Sequence, residues 1–188
     1  PHVDPHQSRN WQGLWNPMPE MIENRDRALS TLSMLLFKQS KFYGHMAART
    51  LRSRISPQVW DSYYKFCVER NPWDKTLSHF HMINDRSGGN LTLDAYLKSH
   101  QFCINYPLYT DATGQLLVDK VIRYESLLPE LAVVFEKLGI SFNGSLGIKA
   151  KSNHRIDRRP YQEIYTQQQR QMIEKAFAKE IEMFGYAF

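Results

Sequence analysis

Arg70 and Ser78 are the residues whose types and spacing most clearly offer chemistry, because they lie where the sequence changes from strand to helix character. The run from Tyr63 to Val68 is apolar, aromatic and β-branched, which is typical of a buried strand, and the segment from Pro72 is typical of a helix start. In a parallel sheet, the crevice between a strand's carboxyl end and the next helix favours an anion. A guanidinium and a hydroxyl at this place would suit a terminal phosphate.

The same residues also have a purely structural interpretation. Arg70 would then pair with Glu69 or Asp74, and the side chain of Ser78 would merely pack. Spacing alone does not decide between the two interpretations.

The segment VERNPWDKTLSHF around Arg70 resembles the 3′-phosphate-binding motif of the sulfotransferase superfamily. That motif is an apolar strand, then Arg-[Asn/Asp]-Pro, then a Ser eight residues after the Arg, which is the spacing of Ser78 here. FYGHMAARTL upstream, and VIRYESL and FGYAF downstream, are similar to stretches of carbohydrate and uronyl 2-O sulfotransferases. The resemblance covers most of the chain from about Lys41 on. It implies the donor 3′-phosphoadenosine 5′-phosphosulfate (PAPS), with the product adenosine 3′,5′-bisphosphate, and a carbohydrate or other hydroxyl-bearing acceptor, without a metal.

The resemblance also implies an α/β fold of three layers, α/β/α, around a short central parallel sheet. This is the P-loop NTPase-like sulfotransferase fold, here without its first strand. In the superfamily a loop similar to Lys-x-x-Gly-Thr-[Ser/Thr] holds the 5′-phosphosulfate, and Gly13, Gly44, Gly88 and Gly89 all lack the Lys and hydroxyl neighbours of such a loop. We therefore expect residues 1–188 to be a single domain that is either truncated at its amino terminus or has lost catalysis, with weak or absent turnover.

His45 is the candidate general base, because it lies where a brief strand is predicted to lead into a helix. A histidine with an ordinary pKa near 6.5 is largely neutral at working pH and accepts a hydroxyl proton. FYGH is similar to the Phe-Tyr-x-x-His stretch of the uronyl 2-O sulfotransferases, although its Tyr-to-His spacing is one residue shorter. The alternative is a histidine that caps the helix.

The basic loop from Lys149 to Arg159 resembles the segment that folds over the nucleotide in these sulfotransferases. The resemblance makes Ser152 and Arg155 candidates for contacts to the 3′-phosphate. The competing interpretation is a nucleic-acid patch, but the loop lacks the repeated basic and aromatic interleaving that such surfaces show.

Periodicity and turn residues predict the elements that would position these side chains. Helices are expected over residues 25–37 and 46–54, from Leu127 to Leu138 and from Thr166 to Phe184. Two further helices are expected to begin at Ser56 and at Thr92. A brief strand is expected at Lys41 to Gly44, and a strand, turn and strand between Tyr106 and Tyr124, with the turn at 111–114 and a strand from Leu116. Arg123 and Glu125, in the RYESL stretch, are expected to be architectural.

Composition bounds these interpretations. The chain has 188 residues, 42% of them hydrophobic and 23% charged, which fits a globular protein and excludes a disordered polyampholyte. The net charge of +5 favours anionic partners, including an anionic saccharide, although such basic clusters are more often solvated faces. Cys67 and Cys103 have no metal-type spacing, and a reduced Cys67 favours a cytoplasmic location. No stretch predicts a membrane span, and His79 and His81 point too far apart on a helix to chelate one ion.

Two other classes of function remain open at this point. One is a non-catalytic nucleotide- or nucleic-acid-binding module, although we expect no nucleic-acid partner. The other is a structural protein that binds no nucleotide, in which Arg70 would affect stability alone.

Overall fold

The computed structural model describes residues 42–147, 157 and 159–188, together with the helical positions Met18, Ile22, Leu32 and Leu36. In the continuous part of this description the helices are α1 (Ala48–Arg54), α2 (Pro57–Ser62), α3 (Pro72–Arg86), α4 (Leu93–Lys98), α5 (Tyr106–Tyr109), α6 (Leu127–Lys137), α7 (Gln167–Ala176) and α8 (Ala178–Phe184). The strands are β1 (Phe66–Glu69) and β2 (Lys120–Arg123), and single 3₁₀ turns cover Tyr124–Ser126 and Tyr161–Glu163. The predicted mixed α/β class is confirmed.

The chain forms two compact units. The first consists of Pro1–Cys67 and Pro107–Lys120, and the second of Val68–Tyr106 and Val121–Phe188. The boundaries fall inside β1 and at the start of β2. The expectation of a single domain stays a prediction.

β1 and β2 pair in a two-stranded sheet that is parallel. At one end, the backbone N–H of Lys65 donates to Asp119 Oδ2 at 2.7 Å, and at the other end the N–H of Asn71 donates to Glu125 Oε1 at 2.6 Å. Both pairs are 54 residues apart in sequence. A constant separation along two strands is the register of a parallel pair, whose strands need a long crossover connection.

Helix α3 begins and packs as its sequence predicts. Asn71 caps it, Pro72 occupies its first position and Asp74 adds a negative charge to its first turn. Trp73 and Leu77 are almost fully buried, at 2% and 1% exposure, because they lie one turn apart on the inward face.

The inward face of α3 belongs to the core of the second unit. α3 packs on α7, and α4 packs on α7 beside it. The buried members of this core are Trp73, Leu77, Phe80, Tyr96, Leu97, Tyr165, Ile173 and Phe177. Each large apolar side chain buried in this way stabilises the fold by roughly 1.5–3 kcal/mol relative to exposure.

The first unit has a smaller core around α1 and α2. Ala48, Ile55 and Trp60 are buried there, and Phe42 and Leu117 pack against them. The hydroxyl of Ser56 accepts a hydrogen bond from the N–H of Val59, so α2 starts with a capping serine followed by proline, as predicted.

Several predicted elements are shorter than expected or wrong. Phe42 to Gly44 forms no strand, and Gly44 and His45 form a turn. Tyr106–Tyr109 is a helix, followed by an isolated antiparallel bridge between Thr110 and Leu116. The turn at 111–114 is confirmed, since Asp111 Oδ1 accepts hydrogen bonds from the backbone N–H of Thr113 and Gln115. Most of the helix predicted at 25–37 lies outside the described residues.

The last predicted helix is two helices, α7 and α8, that meet at Phe177. The capping box of Thr166 and Gln169 at the start of α7 is confirmed. The break follows from Phe177, whose φ of −111° and ψ of 25° depart from helical values while its side chain is fully buried. Gly185, at φ 62°, ends α8 in the left-handed conformation that glycine adopts without a steric cost.

Candidate functional site

The end of β1 and the start of α3 form the junction at which an anion site is predicted. Glu69 ends the strand, Arg70 follows it, and Asn71 caps the helix. Asn71 Oδ1 accepts hydrogen bonds from the backbone N–H of Trp73, at 3.1 Å, and of Asp74, at 3.4 Å. The positive end of the α3 dipole therefore lies next to Arg70 in the chain.

Arg70 is held between a carboxylate and an aromatic ring. Its Nε donates to Asp74 Oδ2 at 2.7 Å, and its Nη2 lies 2.5 Å from the same oxygen. The central carbon of the guanidinium lies 4.6 Å from the centre of the Tyr124 ring, within the range of a cation–π contact. The side chains of Arg70 and Asp74 are 24% and 22% exposed, so solvent reaches this pair. The pairing with Asp74 is the one that the structural interpretation of the sequence named.

Ser78 lies four residues after Asp74 on α3 and is half-buried. Residues four apart are neighbours on a helix surface, so Asp74 and Ser78 lie on one face of α3, and Asp74 contacts Arg70, which precedes the helix. The predicted pairing of Arg70 with Ser78 around one phosphate stays a prediction.

Asn71 joins four parts of the second unit. Besides capping α3, its Nδ2 donates to the carbonyl oxygen of Ala187 at 3.1 Å and to the hydroxyl of Tyr161 at 3.2 Å. Its backbone N–H donates to Glu125 Oε1 at 2.6 Å. Burial, and then the negative charge of Asp74, raise the pKa of Tyr161, so its hydroxyl stays protonated. These contacts fix the backbone next to Arg70.

Glu69 at the end of β1 and Lys75 of α3 form a buried ion pair at the junction. Lys75 Nζ lies 2.6 Å from Glu69 Oε1, and the same oxygen accepts the backbone N–H of Arg70 at 3.0 Å. The two side chains are 0% and 9% exposed. The ammonium also lies 4.7 Å from the centre of the Phe177 ring. A buried charge is tolerated when it is paired and hydrogen-bonded in this way.

A second buried carboxylate, Glu180 of α8, lies in the same environment. The residue is 1% exposed, and its Oε1 accepts the backbone N–H of Tyr106 at 3.4 Å. Burial raises the pKa of Glu180, and the negative charge of Glu69 adds to this, while Lys75 acts in the opposite direction.

The segment after α8 packs against the start of α3. The ring of Phe188 meets the edges of Trp73, with centroids 5.4 Å apart, and of Tyr161, at 5.5 Å. The guanidinium of Arg170 lies 4.5 Å from the Phe188 ring centre. Within the described part of the chain, the buried hydroxyl of Tyr186 has no hydrogen-bond partner, and burial, followed by the negative charge of Glu125, raises the pKa of Tyr186. Segment 186–188 therefore stabilises the junction by packing against the start of α3.

His45, the predicted base, lies in the first unit. It is exposed and adopts a left-handed backbone conformation with φ 60°, in the turn that precedes α1. α1 has no side-chain cap at its N-cap residue Ala47. The alternative of a helix-capping histidine is therefore not what the structure contains.

Ser152 and Arg155 lie outside the described residues. The nearest described part of that loop is an exposed ion pair, in which Arg159 Nη2 lies 2.6 Å from Asp157 Oδ2. Hydrogen bonds from Arg159 lower the pKa of Asp157 to about 2.

His79 has a structural contact with the core. Its Nδ1 lies 2.7 Å from the hydroxyl of Tyr96, which is 2% exposed. Burial and the nearby charge of Arg86 lower the pKa of His79. Over the described ranges, no group of three or more His, Cys, Asp or Glu side chains could hold a metal ion. No helix in these ranges is both long enough and apolar enough to cross a membrane.

Sequence reasoning missed Tyr124, Lys75 and Glu180 at this site. The signal for Lys75 was weak, because a charged residue between Trp73 and Leu77 is expected to face solvent. Tyr124 and Glu180 meet the junction through tertiary packing, which no local pattern of one sequence records.

The comparisons with known proteins name no activity. The chain is 33% identical over 100 residues to an uncharacterized protein of Archaeoglobus fulgidus, an alignment that covers 50% of this chain and 83% of the archaeal protein. No family model matches the sequence. No solved structure matches it either.

Proposed function

We propose a function that is based on the junction of β1 and α3. The chain belongs to the same family as the uncharacterized Archaeoglobus fulgidus protein. The protein is a PAPS-dependent sulfotransferase that transfers a sulfuryl group to a hydroxyl of a carbohydrate-type acceptor, and we expect weak or absent turnover from residues 1–188, which lack the motif of the 5′-phosphosulfate loop. Its fold is the three-layer, P-loop NTPase-like sulfotransferase fold. The observation that supports this most is the position of Arg70, between a parallel strand and a capped helix.

The 3′-phosphate of the donor binds at this junction. Arg70 supplies charged hydrogen-bond donors next to the end of β1, and Ser78 supplies a hydroxyl from α3. Ser152 and Arg155 add contacts from the basic loop. A phosphate between a guanidinium and the positive end of a helix dipole is stabilised by both.

The reaction is a displacement at sulfur. The acceptor oxygen forms a bond to the sulfur atom while the bond between sulfur and the 5′-phosphate oxygen breaks, and adenosine 3′,5′-bisphosphate leaves. His45 accepts the proton of the acceptor hydroxyl. We also propose a cytoplasmic location, in keeping with the reduced state of Cys67 and Cys103.

Calorimetric titration with adenosine 3′,5′-bisphosphate tests the proposal. Wild type should bind it more tightly than AMP, and Arg70→Ala should weaken binding at least about tenfold, because a hydrogen bond between charged groups is lost. Arg86→Ala is the matched control, since it removes the same charge from the exposed far end of α3. Equal binding by wild type and Arg70→Ala would contradict the proposal. Salt-sensitive binding of oligonucleotides without this preference would favour the nucleic-acid-binding alternative.

A further inference from the structure

We propose that Asp74 determines the anion affinity of the junction by competing with the bound phosphate for Arg70. This inference rests on the proposed function, because it concerns the same guanidinium. Asp74 is thus a specificity-determining residue that disfavours anions without additional contacts to the protein.

Asp74 occupies one hydrogen-bonding edge of the Arg70 guanidinium. Nε and Nη2 of Arg70 both approach one oxygen of Asp74, at 2.7 and 2.5 Å. These two nitrogens form one edge of the guanidinium, which is an edge that binds phosphate in bidentate fashion. The face of the guanidinium is covered by the Tyr124 ring at 4.6 Å. A phosphate that uses this edge must therefore displace the carboxylate.

The cations at the junction are paired with carboxylates. Lys75 is neutralised by Glu69, and Arg70 by Asp74. Glu125 adds a further carboxylate, which accepts the backbone N–H beside Arg70. While Asp74 remains ionised and in place, its negative charge opposes the binding of a phosphate at this edge of Arg70. An anion that is held by additional contacts overcomes this repulsion.

The position of Asp74 at the start of α3 stabilises its carboxylate. It lies in the first turn of α3, where the helix dipole stabilises a carboxylate, and its own N–H is bonded to Asn71 Oδ1. Asp74 is therefore stable as the internal partner of Arg70, and the free protein has its anion-binding group occupied.

Titrations of Asp74→Asn test the inference. The variant keeps the shape of the side chain and an oxygen that accepts from Arg70, but removes the charge. Adenosine 3′,5′-bisphosphate and inorganic phosphate should each bind at least about fivefold more tightly than to wild type, with the larger factor for inorganic phosphate, which lacks the nucleoside contacts. Asp85→Asn is the control, because it changes the net charge equally from the exposed last turn of the same helix. It should leave both affinities unchanged.

The outcomes separate this inference from the proposed function. If wild type binds the nucleotide and Arg70→Ala does not, but Asp74→Asn binds no more tightly, Asp74 only positions Arg70 and the inference is overturned while the proposed function stands. If Asp74→Asn binds and the double variant with Arg70→Ala does not, the inference is supported even where wild-type binding is too weak to measure. If no variant binds either anion, both fail. Asp74→Ser, with circular dichroism of each variant, provides a second neutral side chain should Asp74→Asn not fold.

Discussion

The side-chain amide of Asn71 donates a hydrogen bond to the carbonyl oxygen of Ala187, 3.1 Å away and 116 residues later in the chain. The last described segment is thereby attached to the cap of α3, one residue after Arg70. We expect Asn71 to be important for stability, because the same residue fixes the helix start, the 186–188 segment and the backbone of the junction.

Asn71→Ala should destabilise the protein by about 2 kcal/mol. It removes a cap worth about 1–2 kcal/mol and leaves the Ala187 carbonyl without this donor. Urea unfolding of wild type and variant measures the difference. Thr92→Ala is the control, because Thr92 caps the short helix α4 through one bond to Ala95 and makes no such tertiary contact in the hydrogen bonds described here. A loss for Asn71→Ala no larger than that for Thr92→Ala would contradict the linking role.

Phe188→Ala should cost about 2 kcal/mol and change the environment of Trp73. The ring packs edge-on against Trp73 and Tyr161 and lies under the Arg170 guanidinium, and all three contacts are lost. Near-ultraviolet circular dichroism and urea unfolding check this. Phe188→Leu keeps apolar volume and should lose roughly half as much. If both variants unfold as wild type does, the 186–188 segment is not packed as described.

The free energy of unfolding of Glu180→Gln should increase relative to that of wild type as pH rises. Burial raises the pKa of Glu180 above its ordinary value of 4.5, so the folded protein holds this proton more tightly than the unfolded chain does. The stability that the protonated carboxyl contributes is fully present below the unfolded pKa and is lost as pH rises through the folded pKa. Gln cannot ionise and avoids this loss.

Unfolding free energies between about pH 4 and 8 measure the effect. The difference between variant and wild type should grow in favour of the variant with rising pH. Glu182→Gln, an exposed neighbour on α8, should show no such trend. A constant difference for Glu180→Gln would show that its pKa is the same in both states.

Lys75→Met should destabilise the protein by about 3–5 kcal/mol, because it leaves Glu69 buried without its cation. The double variant Glu69→Gln with Lys75→Met should recover a large part of this loss, since no uncompensated charge remains. Thermal and urea unfolding of the two variants make the comparison. A double variant less stable than Lys75→Met would mean that the carboxylate has another essential partner.

The elements around the junction were predictable because their signals are local. Asn71, Pro72 and Asp74 mark a helix start by their types and order, and Thr166 with Gln169 marks another. The pairing of Arg70 with Asp74 was one of two that the structural interpretation named, and the sequence alone did not choose between Glu69 and Asp74.

The remaining features depend on parts of the chain that are distant in sequence. Tyr106–Tyr109 has aromatic residues typical of a strand but forms a helix. Glu180 is buried where the pattern of α8 offered no reason to expect a buried carboxylate. In both cases tertiary packing overrides local preference.

The parallel register of β1 and β2 has a kinetic consequence. The partners Lys65 and Asp119, like Asn71 and Glu125, are 54 residues apart, so neither strand gains a neighbour until a long loop has closed. Helix α3 needs only its own cap and neighbouring turns to start. We expect the helices of this region to become protected from amide exchange earlier during refolding than the strands, with the carboxyl end of β1 completed late in the process.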